Sequence, residues 1–197
     1  MASLRKSKRG LSQVVTTLIL LVVSVLLAGI VTYYATNITM TRTEQESVDI
    51  AKAHVWVNGT GGAEAAIVVQ CLGGRDVLVD KITVRGVESI WSSNNVYLWR
   101  AGTTAITTDL SYAQPNLANN FDPSKTNPWN ITIQGSARQL SKATTDVDLA
   151  SSYNLVFYVL SPDNIGLDDI GTTVSITIFT VNGQYIEEVN CESASGS

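Results

Sequence analysis

Arg5-Lys6-Ser7-Lys8-Arg9-Gly10 runs directly into an apolar stretch from Leu11 to Tyr34, and no charged residue stands between Arg9 and Arg42. About 20 mainly apolar residues cross a bilayer as a helix, so this stretch is long enough to span one. The four positive charges before it, with none close behind, predict an N-terminus in the cytoplasm and the rest of the chain outside. A secretory signal has a shorter apolar region and then a small-residue cleavage site. Here Ala28-Gly29 lies inside the run, and Tyr33-Tyr34-Ala35 is a poor site. An uncleaved anchor and a processed filament helix are the other readings.

The predicted helix starts at Leu11 and continues through helix-compatible residues to about Lys52, roughly 60 Å at 1.5 Å per residue. Ser24, Ala28, Thr32 and Thr36 recur every fourth residue and so form one stripe of small side chains. Small residues let helix backbones approach closely in lipid, and hydroxyls can bond across such a contact. The other faces are rich in Leu, Ile and Val.

The order of basic leader, Gly10 and Leu11-Ser12-Gln13-Val14-Val15-Thr16-Thr17-Leu18 resembles the class III signal of type IV pilins. The likeness is closest to the archaeal pilin and archaellin branch. It implies that a prepilin peptidase cuts between Gly10 and Leu11, leaving the helix on the mature chain. The helix would then be the core of a filament of identical subunits, packed through Leu18, Leu21, Ser24, Val25, Ala28 and Thr32. The implied partners are copies of the chain, the peptidase, a membrane assembly machinery and, before assembly, the membrane itself. Val15 stands where many pilins carry Glu, and Ser12-Gln13 where many archaeal pilins carry Ser-Pro. Val15 tilts the reading toward an adhesive pilus and away from a motility archaellin.

The chain has 197 residues and a formal net charge of −4. Four of its 13 basic side chains lie in the leader, so a chain beginning at Leu11 keeps nine against 17 acidic ones. That balance argues against nucleic acid as a partner, because a basic face is its usual electrostatic footprint. Three regions follow: a leader at 1–10, a filament-core or transmembrane helix at 11–52, and one extracellular β domain at 53–197.

Cys71 and Cys191 are expected to pair outside the cell. The alternative is a buried Cys71 with Cys191 linking to another subunit. Asn37-Ile38-Thr39, Asn58-Gly59-Thr60 and Asn130-Ile131-Thr132 are glycosylation sequons.

Beyond residue 53 the pattern is strand-like. Strands are expected at 54–57, 65–72, 77–85, 129–134 and 154–160. Val96–Arg100 and Ala105–Thr107 suggest a hairpin around Ala101-Gly102. Residues 109–128, with three of the four prolines, read as a long surface loop. The clearest hairpin is Thr173–Val181, then Asn182-Gly183 as a type I′ turn, then Gln184–Val189. The expected fold is α+β: one long N-terminal α-helix followed by an all-β immunoglobulin-like sandwich domain.

No nucleotide loop, HExxH, G-x-S-x-G or paired-cysteine redox motif is present, so no enzyme activity, metal or cofactor is expected. His54 reads as structural. Asp163, Asp168 and Asp169 read as turn residues, with calcium binding the alternative. Trp91, Trp99, Trp129 and Tyr97 read as core, with a sugar platform the alternative. The rival overall reading is a monomeric membrane-anchored surface binding domain.

Overall fold

One uninterrupted helix, α1 (Ser3–Thr43), takes in the basic leader and the whole apolar stretch. The structure, a computed structural model, describes residues 3–43, 45–91, 95–113 and 129–194. It divides into two compact units, Met1–Glu44 and Gln45–Ser197. The Pro- and Asn-rich stretch 114–128 and the side chain of Trp129 lie outside the described residues.

The expected helix to about Lys52, and with it the boundary at 53, is corrected. α1 ends at Thr43, and β1 (Val48–Val57) begins only a few residues later. Val48 and Ile50 face the core, and the segment pairs with β2 (Ala63–Cys71) in the register Val48↔Cys71 to Ala51↔Val68. A ladder against a buried strand outweighs a helix propensity that differs among ordinary residues by only about 0.7 kcal/mol each. Between Ala51 and His54 the register shifts, and Lys52 takes φ of 50°.

The remaining strands are β3 (Val77–Val84), β4 (Val87–Ser89), β5 (Val96–Gly102), β6 (Trp129–Ile133), β7 (Ser136–Lys142), β8 (Val147–Leu149), β9 (Asn154–Leu160), β10 (Thr173–Thr180) and β11 (Gln184–Ser193). They pair in the order β4-β3-β10-β11-β1-β2-β9-β5-β7-β6, with β8 beside β3. The helix-then-β layout expected from the sequence is therefore the one adopted. Its two halves join along β1 and β11, the one parallel pair among the described residues.

Alternating side chains send one face of these strands inward. Ile67 and Val69 of β2, Phe157 of β9, Val79 and Ile82 of β3, and Ile176 and Ile178 of β10 meet in one core, each at most 1 % exposed. This makes the domain sandwich-like. A second core lies on the opposite face of β1, β2, β9 and β5, around Tyr97, Tyr158, Val68 and Leu140. Residues 103–113 strap across that face and bury Ile106, Leu110 and Ala113 in it. The strand expected at Ala105–Thr107 does not form. The carbonyls of Thr104 and Ala105 accept the side-chain amides of Asn154 and Gln134, both at 2.8 Å, in place of a ladder.

The turns also differ from expectation. Neither Asn182 nor Gly183 has positive φ, so their turn is not type I′. The hairpin closes one residue earlier, with Thr180 N–H donating to the Gly183 carbonyl at 2.9 Å and the Thr180 hydroxyl accepting Gly183 N–H at 3.0 Å. Positive φ at both central residues occurs instead at Arg85-Gly86, between β3 and β4, and at Gln134-Gly135, between β6 and β7.

Gly73, after β2, is where residues 45–47 pass closest. A Cβ there would lie 2.8 Å from both the Gln45 carbonyl oxygen and the Ser47 nitrogen. Leu72 and Gly73 N–H both donate to the Ser47 carbonyl, at 2.9 and 3.1 Å. Gly73→Ala pushes two backbone segments apart and should cost roughly 1–3 kcal/mol, lowering the melting temperature of the β domain by several degrees. An unchanged melting curve would show that the crossing is loose.

Candidate functional site: an unburied apolar helix

Gly10–Thr41 is 32 residues long and apolar enough to cross a membrane, and its side chains are exposed on the helix. A helix that is apolar all round must be buried in something, whether lipid or other helices. At 1.5 Å per residue the span is about 48 Å, against about 30 Å for a hydrocarbon core. Leu18, Leu21, Ser24, Val25, Ala28 and Thr32 are all exposed on it. Gly10 and Leu11 lie within the same helix, and nothing crowds Gly10 within 4 Å. A glycine in a helix interior is about 1 kcal/mol less favourable than alanine, so Gly10 is a weak point at the implied cut.

The hydroxyls of this helix bond to its own carbonyls. Ser24 Oγ donates to Leu21 O, Thr32 Oγ1 to Ala28 O and Thr36 Oγ1 to Thr32 O, each at 2.8 Å. Thr16, Thr17, Thr39 and Thr41 do the same, three or four residues back. The hydroxyl protons of the small-residue stripe are thus already used within the helix, leaving methyl and methylene groups on its outside.

The two cysteines are apart. Cys71 pairs with Val48 on one flank of β1, and Cys191 pairs with Val55 on the other flank. Val55 in turn faces Ala65, six residues along β2 from Cys71, so the thiols are separated by roughly 20 Å along the strands, beyond disulfide reach. Both are free and buried. The expected intrachain pairing is corrected on this register. Cys71 Sγ donates instead to the Arg75 carbonyl at 3.3 Å. Burial, first of all, pushes the Cys191 thiol up from its ordinary pKa.

Of the sequons, Asn37 is exposed on α1. Asn130 lies in β6 opposite Gln139, its side chain outside the described residues. Asn58 holds a turn: its Oδ1 accepts Thr60 N–H at 3.0 Å, Thr60 Oγ1–H at 2.8 Å and Gly62 N–H at 2.7 Å.

The remaining candidates make packing and polar contacts within the β domain. His54 stacks on Trp56 with ring centroids 5.1 Å apart, and its Nδ1 is 3.8 Å from Glu192 Oε1. Trp91 donates to the Asp80 carbonyl at 2.6 Å and packs on Phe157, Tyr97 is buried, and Trp99 lies under Arg138. No three His, Cys, Asp or Glu side chains come together as a metal site among the described residues. Asp169 accepts Gly166 N–H at 2.9 Å and pairs with Arg85, fastening the 162–172 loop to the end of β3.

Sequence reading missed Glu64, a fully buried carboxyl inside an apolar strand. Its Oε1 accepts the Ala113 N–H at 2.8 Å, while Tyr158 OH donates to the Ser111 carbonyl at 3.1 Å. Burial, with Glu64 nearby, raises the Tyr158 pKa. With Lys52–Asp109 at 2.9 Å, these contacts tie down the strap. An acidic residue between Ala63 and Ala65 was the available signal.

No family model matches the chain, and no curated protein matches it in sequence.

Intact mass should be the same with and without reduction, and thiol labelling should reach both cysteines only after denaturation. A two-hydrogen mass difference would show that they pair. The Gly166 N–H first, and then Arg85, hold the Asp169 pKa below the usual carboxylate range. A depressed folded pKa gives stability that is present above the unfolded value of about 3.9 and lost as pH falls through the folded one. Urea titrations should therefore show stability falling below about pH 4, and Asp169→Asn should flatten that fall. An identical pH profile in the variant would remove Asp169 from the account.

Proposed function

We propose that this chain is a structural subunit of an extracellular helical filament, an adhesive pilus of the archaeal type IV kind. The observation that carries the reading is α1: an exposed, uncharged apolar span of 32 residues, longer than one bilayer needs. The leader Arg5–Arg9 holds the precursor in the membrane with its N-terminus inside. A prepilin peptidase removes the leader at Gly10. The helix then moves from lipid into a bundle of identical helices, keeping its apolar surface out of water throughout. Ala28 and its small neighbours let the backbones come close, and Leu18, Leu21 and Val25 fill the space between them. The β domains coat the outside, and the role involves no catalysis.

A monomeric anchored domain is the opposing reading. It leaves about a third of the apolar length of α1 outside the hydrocarbon core, where a bundle of copies would cover it.

N-terminal sequencing of the protein from the cell surface tests both. A start at Leu11 together with filaments in electron micrographs is the expected result, and an intact leader on a detergent-soluble monomer would sink the proposal. Ala28→Phe should reduce filaments at least tenfold while leaving the β domain's melting unchanged. Thr32→Val, which keeps the shape and loses only a self-satisfied hydroxyl, should assemble normally.

A further inference from the structure

Two cavities open side by side in the β domain and share Ile90. The first, about 170 Å³, lies between the end of β4 and the turn after β9, and its polar lining is Glu88, Ser89, Asn95, Ser161 and Asp163. The second, about 480 Å³, is more open and is lined by Trp91, Thr144, Thr145 and Asp146. Together they fall within the range of small-molecule sites, about 300–1,000 Å³. The walls are fixed to strands. Ser89 pairs with Ile82 of β3, Leu160 N–H donates to the Asn95 carbonyl at 2.7 Å, and Ser161 N–H donates to the Ala63 carbonyl at 2.8 Å. Trp91 is held by its bond to the Asp80 carbonyl and its packing on Phe157.

Ser89 is the informative residue. It is only 8 % exposed, it lines the first cavity, and its hydroxyl makes no hydrogen bond among the described residues. A buried hydroxyl is costly unless something bonds to it. Here that partner must come from whatever fills the cavity, and a ligand hydroxyl can take the place of water there.

The lining selects the chemistry of the occupant. Among the described residues no basic side chain lines either cavity, while Glu88, Asp146 and Asp163 are exposed carboxylates, so an anion is repelled. A cation would satisfy the carboxylates but gives the hydroxyls of Ser89, Ser161, Thr144 and Thr145 nothing to donate to, and no three acidic side chains gather here as metal ligands. A neutral polyol meets both needs. Its hydroxyls donate to carboxylates and accept from Ser and Thr hydroxyls and from the Asn95 amide. The C–H groups of a sugar ring are apolar and weakly positive, which suits Ile90, Leu160 and the electron-rich indole of Trp91.

We propose that the two cavities form one cleft for a neutral sugar. Glu88 and Asp163 accept from the hydroxyls of a ring seated in the first cavity, and Ser89 donates to one of them. Trp91 and Asp146 meet the part of the ligand that extends past Ile90 into the second. Leu160 lies opposite Glu64, and Glu64 opposite Trp56, so the first cavity is at the end of the domain away from Val48. The cleft belongs to the β domain alone and does not rest on the filament reading.

The test is saturation-transfer NMR on the full-length chain in lauryldimethylamine oxide, a detergent without a sugar headgroup. The probes are the methyl glycosides of glucose, galactose, mannose and N-acetylglucosamine at millimolar concentration. At least one should receive saturation on its ring C–H protons, and glucose 6-phosphate, which adds an anion, should receive none. Asp163→Ala and Asp146→Ala, both at exposed positions, should each weaken glycoside binding about tenfold with the β domain's melting unchanged. Ser89→Ala should weaken it severalfold without lowering the melting temperature, a pairing that a purely structural hydroxyl would not give. Saturation of none of the four glycosides overturns the proposal, and so does unchanged binding in the Ser89→Ala and Asp163→Ala proteins. A melting shift with calcium or tetramethylammonium ions, with no glycoside bound, would assign the cleft to a cation instead. Loss of the sugar site leaves the filament reading standing, because filaments are scored by microscopy on a different part of the chain.

Discussion

The helix α1 is apolar on every face, and all of its residues from 10 to 41 are exposed. Every residue from Gly10 to Thr41 is uncharged, and the β domain closes both of its cores without using any of them. Water is excluded from this surface only by lipid or by other molecules of protein. The internal bonding of the Ser and Thr hydroxyls sharpens that constraint, because it removes the polar groups that would have let the helix rest against water or specify a polar partner.

The β domain meets a different demand. It is tied together around β1, which lies between β2 and β11 and joins two halves that would otherwise be separate layers. The segment before β1 is held by Gly73, Leu72 and Asn182, so the fold is fixed from Gln45 onward. Both cores use the same four strands, one on each face. This is why β2 reads as a continuous apolar run, and why the strap needs a buried carboxyl to receive the Ala113 N–H.

What the sequence disclosed depends on how local each signal is. The apolar span is local: its length and lack of charge need no partner strand to be recognised. The alternating Val-Ser-Ile-Thr-Ile of β10 is local too. The end of α1 is not, because Ser47 to Lys52 are merely helix-compatible residue types and become a strand only when β2 lies alongside. The Asn-Gly pair suggested a type I′ turn, yet the Thr180 side chain closes that hairpin differently, and the two type I′ turns fall on Arg-Gly and Gln-Gly. Cys71 and Cys191 show the limit most plainly. Their number and setting suggested a bond, and only the register along β1 shows that they flank opposite ends of it.

The parallel pairing of the first and last strands has a consequence for geography. Had β11 run antiparallel to β1, both ends of the domain would lie together. Instead the chain comes in beside Val48, and Ala194, the last described residue, donates its N–H to the Val57 carbonyl at 2.8 Å. Ten residues of strand separate those points, about 30 Å. Ala194 therefore sits at the end of β1 opposite Val48, where the chain enters the domain. Entry and exit are thereby separated by the whole length of β1, so a change at one end of the strand leaves the other end's backbone pairing untouched.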